Sequence, residues 1–240
     1  MCSSLANDGY EIHRALLSSS EVVELRLEAD AVAAAVGSAC VRHLRERSSI
    51  FESLSESSAL LSLIPRGLRP VRSILFDKTK SENWPVPWHQ DLTISVTDRQ
   101  DITGYGPWSH KDGVPHVQPP VSLLENMVTI RLHLDDAFAS NGALRVIPES
   151  HCKGKMDSDA LSDFDKSASV TCECSSGDAL LMSPLILHSS RRSDSPVRRR
   201  VIHFEYARDT DLDAQLRWFE ARKEYCNEQG VAYNTDSQVG

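Results

Sequence analysis

The residues most able to do chemistry lie in Trp84-Pro85-Val86-Pro87-Trp88-His89-Gln90-Asp91, which contains a His-x-Asp pair. A second candidate histidine, His188, closes an apolar run much further along, and Arg199 follows it by eleven residues. Two imidazoles and one carboxylate on one face of a metal ion leave three positions open, the arrangement used by non-haem Fe(II) oxygenases. Residues two apart on a strand project from the same face. One short strand would therefore present His89 and Asp91 to a single point, and the expected metal set is His89, Asp91 and His188.

The pattern alone does not choose its own copy, because His133-Leu134-Asp135 repeats it. Context does. His89 follows two tryptophans and two prolines, a rigid entry into a strand, whereas His133 shares a strand face with Arg131, and a cation there disfavours a second one. His133 is therefore placed in the pocket wall and not on the metal. The segment Thr97 to Pro120, with Gly104-Tyr105-Gly106-Pro107-Trp108 and Gly113-Val114-Pro115-His116, is long for a connection and rich in aromatics. Long ordered loops are usually functional, so it reads as a lid, with Trp108 and Trp88 as substrate contacts.

The elements that must position these groups divide at about residue 66. Ser18-x-x-Glu21 is a capping box, opening a helix with apolar residues at Val22, Leu25, Ala29, Val32 and Val36. Gly37 either ends this helix or weakens it, since Val41 and Leu44 continue a helical pattern. A second helical patch covers Ile50 to Leu63 and is stopped by Pro65. From Leu68 the period becomes two. Strands are expected at 71–76, 92–96, 128–134, 143–147, 170–174, 179–182, 186–188 and 200–206, with a polar loop at 152–169 and a last helix over about 210–225. Helices followed by short strands with no helices between them indicate a mainly β fold with flanking helices, a double-sheet jelly roll. One domain over 1–240 is expected, with a helical part to about 66 and a core of about 68–207.

Composition narrows the function classes. A net charge of −8 and a pI near 5.6 argue against nucleic acid or an anionic membrane as partner. No apolar run approaches the roughly 20 residues of a membrane span, and Met1 to Arg14 lacks a signal-peptide layout, so a cytoplasmic location is expected. The six cysteines form no Cys-x-x-Cys pair and read as reduced thiols. There is no Gly-x-Ser-x-Gly elbow, Walker loop or dinucleotide fingerprint. Arg191-Arg192 with Arg198 to Arg200 reads as a solvated edge plus one working arginine.

Five blocks together are more specific than any one of them. Trp88-His89-Gln90-Asp91-Leu92, Asn141-Gly142-Ala143-Leu144-Arg145-Val146-Ile147-Pro148-Glu149-Ser150-His151, Gly177-Asp178-Ala179-Leu180-Leu181, His188-Ser189-Ser190 and Arg199-Arg200-Val201 resemble the phytanoyl-CoA dioxygenase family in order and spacing, over about residues 70–207. The resemblance implies a double-stranded β-helix, Fe(II) on His89, Asp91 and His188, and 2-oxoglutarate as co-substrate with its far carboxylate on Arg199. It places Gln90 and Ser190 as secondary co-substrate contacts. It also implies O2 and hydroxylation coupled to conversion of 2-oxoglutarate to succinate and CO2; it names no substrate, and a small polar or anionic molecule beneath the segment 97–120 is expected. One departure stands out: Arg131 occupies a strand position that is commonly aromatic in the family. An arginine inside the barrel requires an anion, so Arg131 is expected to face co-substrate or substrate. Two other readings use the same residues: a non-catalytic jelly-roll protein binding metal or 2-oxoglutarate, and a cupin-like metal-dependent isomerase.

Overall fold

Alternation from about residue 69 onward builds most of two facing sheets. The computed structural model describes residues 4–193 and 197–221. Its strands are β1 (Tyr10–His13), β2 (Cys40–Arg42), β3 (Arg69–Lys78), β4 (Val86–His89), β5 (Ile94–Ser95), β6 (Trp108–Lys111), β7 (Val114–Val117), β8 (Val128–His133), β9 (Leu144–Val146), β10 (Val170–Thr171), β11 (Ala179–Met182), β12 (His188–Ser190) and β13 (Arg199–Ala207). The major sheet runs β1-β11-β8-β13-β3-β2 and the minor sheet β10-β9-β12-β4, with neighbouring strands antiparallel. This is the expected jelly roll. A third sheet, β5-β7-β6, stands beside them.

The two faces of the major sheet have opposite chemistry. On the outer face, Leu75, Ile130, Leu132, Ile202, Phe204 and Tyr206 form one core with Val22, Leu25, Ala29 and Val32 of the helix Ser19–Val36. The capping box forms as expected, with the Ser18 hydroxyl accepting from the Glu21 amide and the Glu21 carboxylate accepting from the Ser18 amide. Gly37 ends the helix in the left-handed region. On the inner face the register brings Arg72, Ile74, Phe76 and Lys78 of β3 beside Glu205, His203, Val201 and Arg199 of β13. Thr129, Arg131 and His133 of β8 then follow beside Glu205, His203 and Val201.

Several local expectations are corrected. Residues 40–42 form β2 rather than more helix, because the Gly37 cap turns the chain back along the edge of β3. The patch at 50–63 is two short helices, Ser49–Ser55 and Ser58–Leu61, each with a serine N-cap. The N-terminus contributes β1, a four-residue strand too short for alternation to mark it. Strand β4 ends at His89, and Asp91 lies in extended chain beyond it. The polar loop at 152–169 carries the helix Ser158–Asp163, capped by Asp157. In place of a last helix, the described part of 210–225 has two 3-10 turns, Asp209–Asp211 and Phe219–Ala221; the rest of that range lies outside the described residues. This segment is fastened by Glu220, whose buried carboxylate accepts from the Ser73 hydroxyl and amide. No described helix is long and apolar enough to cross a membrane.

Gly177 ties the entry of the helix Ser19–Val36 to the major sheet. Its φ of +92° is disfavoured for other residues, and a Cβ there would lie 2.7 Å from the Leu17 carbonyl. The Leu17 amide also donates to the Gly177 carbonyl. Gly177→Ala is expected to lower stability by about 1–3 kcal/mol, read as a fall in the urea midpoint at unchanged m-value.

Candidate metal centre

Antiparallel pairing puts the two histidines side by side: His188 of β12 is the register partner of His89 of β4, and their ring centroids are 4.1 Å apart. Each ring is oriented from behind. His89 Nδ1 lies 2.9 Å from the Pro87 carbonyl, and His188 Nδ1 lies 2.9 Å from the Ile186 carbonyl. A carbonyl can only accept, so both Nδ1 atoms carry the proton and both Nε2 atoms present lone pairs. Those lone pairs face Asp91, with Nε2–Oδ distances of 3.6 Å for each histidine. The three ligand atoms lie within 4.8 Å of one another. Lone pairs converging without a hydrogen bond between them call for a cation, and the set fits a two-histidine, one-carboxylate iron site.

Asp91 sits past the strand end and is held by its backbone and its neighbour. Its amide donates to the Pro184 carbonyl. Gln90 is buried, its amide nitrogen donating to the Gly154 and Leu185 carbonyls while its oxygen accepts from the Met156 amide. The role expected for Gln90 at the co-substrate is therefore corrected: its polar atoms are all engaged in anchoring the chain between two metal ligands. Burial works against the Asp91 charge, but His188, His203 and His89 outweigh it and hold the carboxyl below its usual range. Burial lowers His188 to about 4, which keeps it neutral and able to ligate.

A cavity of about 170 Å³ opens from these ligands along the inner face of β3 and β13. At one end stand Arg199, Lys78, Ser190 and Trp84. Arg199 is only 4 % exposed, and no hydrogen bond or ion pair engages its side chain among the described residues. Burial, then the charge of Arg131, lower its pKa to about 10. Its neighbours Arg198 and Arg200 face the other way, pairing with Asp77 and Asp30 and with Asp135 and Asp30 respectively. Lys78 donates to the Trp84 carbonyl and the Ser190 hydroxyl; burial, Arg199 and Arg131 bring it down to about 7.

Arg131 also lines the cavity, stacked near the Phe76 ring and donating to His203 Nδ1 at 3.0 Å. Because arginine only donates, His203 carries its proton on Nε2 and gives it to Glu205 at 3.1 Å. Glu205 in turn accepts from Arg72. Of this inner-face row only Arg131 stands out in the sequence; Arg72, His203 and Glu205 do not, although the alternation through Arg199, Val201 and His203 contains their signal.

Other expected pocket residues lie elsewhere. Trp88 packs on the cluster of Ile147, Met156 and Leu187, with Arg145 over its ring, while Trp84 takes its place in the cavity wall. Trp108 packs with Val71, Val96 and Leu216, and no cavity-lining residue comes from 97–120. Part of that segment is the β6–β7 hairpin, whose Lys111 and Asp112 reach Thr93 and Arg42. Its compact aromatic content is spent on its own core. His133 faces inward but is not among the cavity-lining residues, and Asp135 turns outward to Arg200 and Arg26, so the second His-x-Asp copy is split.

The comparisons agree with this architecture. The profile of the phytanoyl-CoA dioxygenase family matches residues 5–201. Among solved structures, the carbocyclase SnoK from nogalamycin biosynthesis superposes with a TM-score of 0.66 at 18% identity, covering 85% of this chain and 81% of that one. HygX from Streptomyces hygroscopicus, crystallised with nickel and 2-oxoglutarate, gives 0.60 at 19% identity, covering 85% and 84%. EctD from S. alaskensis gives 0.66 at 17%, covering 86% and 75%. At these identities the likeness is one of fold. A search of curated proteins gave no match.

Two buried histidines away from the ligands set an acid limit. Burial lowers His116 to about 4 and, with Arg131 and Arg199, His133 to about 3. Both stay neutral in the fold but take up a proton once unfolded, below about pH 6.5. Their contribution is therefore intact above that pH and is lost as pH falls toward the folded values, by about 2 kcal/mol each between about pH 7 and pH 5. Urea midpoints should fall over this range, and His133→Phe should flatten the slope.

Proposed function

The chain belongs to the phytanoyl-CoA dioxygenase family, and on that footing we propose that it is an Fe(II)- and 2-oxoglutarate-dependent oxygenase that hydroxylates a small molecule. The observation that carries the reading is the pairing of two unmet demands in one cavity. The His89, Asp91 and His188 lone pairs require a cation, and the buried Arg199 guanidinium requires an anion. A metal-chelating dicarboxylate satisfies both.

His89, Asp91 and His188 would hold iron, which supplies O2 activation coupled to decarboxylation of the co-substrate. Arg199 would receive the far carboxylate in a two-pronged bond, fixing length and orientation. Lys78, held by the Trp84 carbonyl and the Ser190 hydroxyl, adds positive charge beside Arg199. Arg131 lies close enough to Asp91 and Arg199 to act on both electrostatically. It is suited to a carboxylate oxygen between them. The apolar walls Phe76, Ile74, Val201 and Leu144 exclude water around these charges, which strengthens each interaction. Asp91 fills the position that a halide would need, so hydroxylation is favoured over halogenation. The co-substrate contacts of Arg199, Ser190 and Arg131, the use of O2 and a cytoplasmic setting belong to the same proposal. SnoN, crystallised with Fe3+ and alpha-ketoglutarate, is an epimerase of similar fold, so product analysis must separate hydroxylation from epimerisation.

With Fe(II), 2-oxoglutarate and air, the protein is expected to release succinate slowly even without substrate. Arg199→Ala should weaken 2-oxoglutarate binding about ten- to a hundredfold by anaerobic calorimetry; unchanged affinity would remove Arg199 from the co-substrate site. Arg131→Ala should change 2-oxoglutarate affinity or turnover, and an unaltered enzyme would remove Arg131 as well.

A further inference from the structure

The cavity extends well past the part that a five-carbon dicarboxylate would fill. Inner-face neighbours on one strand are about 6.8 Å apart, so Lys78 and Arg72 stand about 20 Å apart along β3. Arg199 is paired with Lys78 and Glu205 with Arg72, which fixes the two ends of the cavity floor. The electrostatic neighbours of Asp91 include His203 and Arg72, so Asp91 stands over the half of this floor away from Arg199. A co-substrate running from Arg199 to the metal leaves unused the part of the cavity lined by Arg42 and Arg72.

That end is rich in positive charge. Arg42 enters it from β2, beside Ile74, and lines the cavity. One of its nitrogens meets Asp112 at 3.0 Å, on a carboxylate 51% exposed, while its Nε is buried with no hydrogen-bond partner. Lys111 is brought in by the β6–β7 hairpin, whose two-residue turn at Asp112 and Gly113 has positive φ at both positions, as a tight hairpin needs. Its ammonium donates to Thr93 Oγ1 at 3.3 Å, and no carboxylate lies within ion-pair distance among the described residues. Burial, then Arg72 and Arg42, lower the Lys111 pKa. The local carboxylates are already committed: Glu205 accepts from Arg72 and from His203, and Asp112 faces Arg42 from the solvent side.

We propose that the substrate carries an oxyanion, a carboxylate or a phosphate, held between Arg42, at the end of the cavity away from Arg199, and Lys111, which stands beside Arg42 and Arg72 just outside the cavity lining. This rests on the reading that the Arg199 end takes 2-oxoglutarate. Three cations, Arg42, Arg72 and Lys111, face Glu205, Asp112 and Asp91; with Asp91 committed to the metal, two carboxylates are left for three cations and one positive charge is in surplus before any substrate enters. A half-buried ammonium without a counter-ion is costly, and an incoming oxyanion removes that cost while pairing the free side of Arg42. A cationic head group would be repelled. With the anion docked there, the substrate's body lies along Ile74 and Phe76, beneath the metal ligands.

The test uses the full chain loaded with Ni(II), as a redox-inert stand-in for iron, and saturating 2-oxoglutarate. Inorganic phosphate and acetate are titrated separately by calorimetry at constant ionic strength. At least one should bind, with a Kd that rises about tenfold or more in Lys111→Met and in Arg42→Gln. The tighter probe decides between phosphate and carboxylate. Absence of binding by both probes, or equal binding in wild type and both variants, overturns the inference. So does weakening in Arg199→Lys without weakening in Lys111→Met, which would put the anion in the co-substrate site. Binding of 2-oxoglutarate in the same preparations separates the two failures. If it is normal in wild type and both variants, the variants are folded and only the substrate inference is lost. If wild type binds none, the co-substrate reading and the inference fall together.

Discussion

The structure depends on the register of two antiparallel strands in the minor sheet. Pairing His89 with His188 places two imidazoles at contact distance, and a backbone carbonyl behind each ring fixes its tautomer. Without a cation this would be three acceptors crowded together, an arrangement that the surrounding bonds hold in place. The Gln90 amide is the main strut, because it fastens the chain between His89 and Asp91 to three backbone groups. A one-residue slip of β4 against β12 would turn His89 to the opposite face and dissolve the site.

The second constraint is electrostatic. The inner face of the major sheet buries Arg72, Lys78, Arg131 and Arg199 around a cavity with two carboxylates, Glu205, engaged by Arg72 and His203, and Asp91, turned to the metal position. Such a face is stable only where each cation has a partner or where anionic ligands arrive. Arg72 finds Glu205, and Arg131 finds the lone pair of His203. Arg199 is left unmatched among the described residues, and that imbalance is the demand that an anionic ligand would meet. The outer face balances the same strand: Arg198 and Arg200 are neutralised by Asp77, Asp135 and Asp30.

Much of this was legible because period-two alternation survives in long, two-sided strands. It placed Arg131 and His133 on one face and set Arg199 apart from its flanking arginines. It failed where strands are short or where packing decides. β1 and β2 are four and three residues long, too brief to alternate visibly. Trp88 reads as pocket wall because it adjoins His89, and Trp108 because the segment 97–120 reads as a lid, yet each packs on a separate apolar cluster. Gln90 resembled a ligand contact by its place in the motif, and only the three-dimensional path of residues 154–156 and 185 reveals the bonds it makes. The hairpin at 108–117 was visible as a long excursion, but its direction was not.

The central claim is that His89, Asp91 and His188 hold iron so that 2-oxoglutarate can chelate it. It is tested most directly by adding Fe(II) and then 2-oxoglutarate to the metal-free protein under argon. The account predicts a weak visible charge-transfer band that is retained in His133→Ala and lost in His188→Ala. No band in the wild type, or a band that survives His188→Ala, would contradict it.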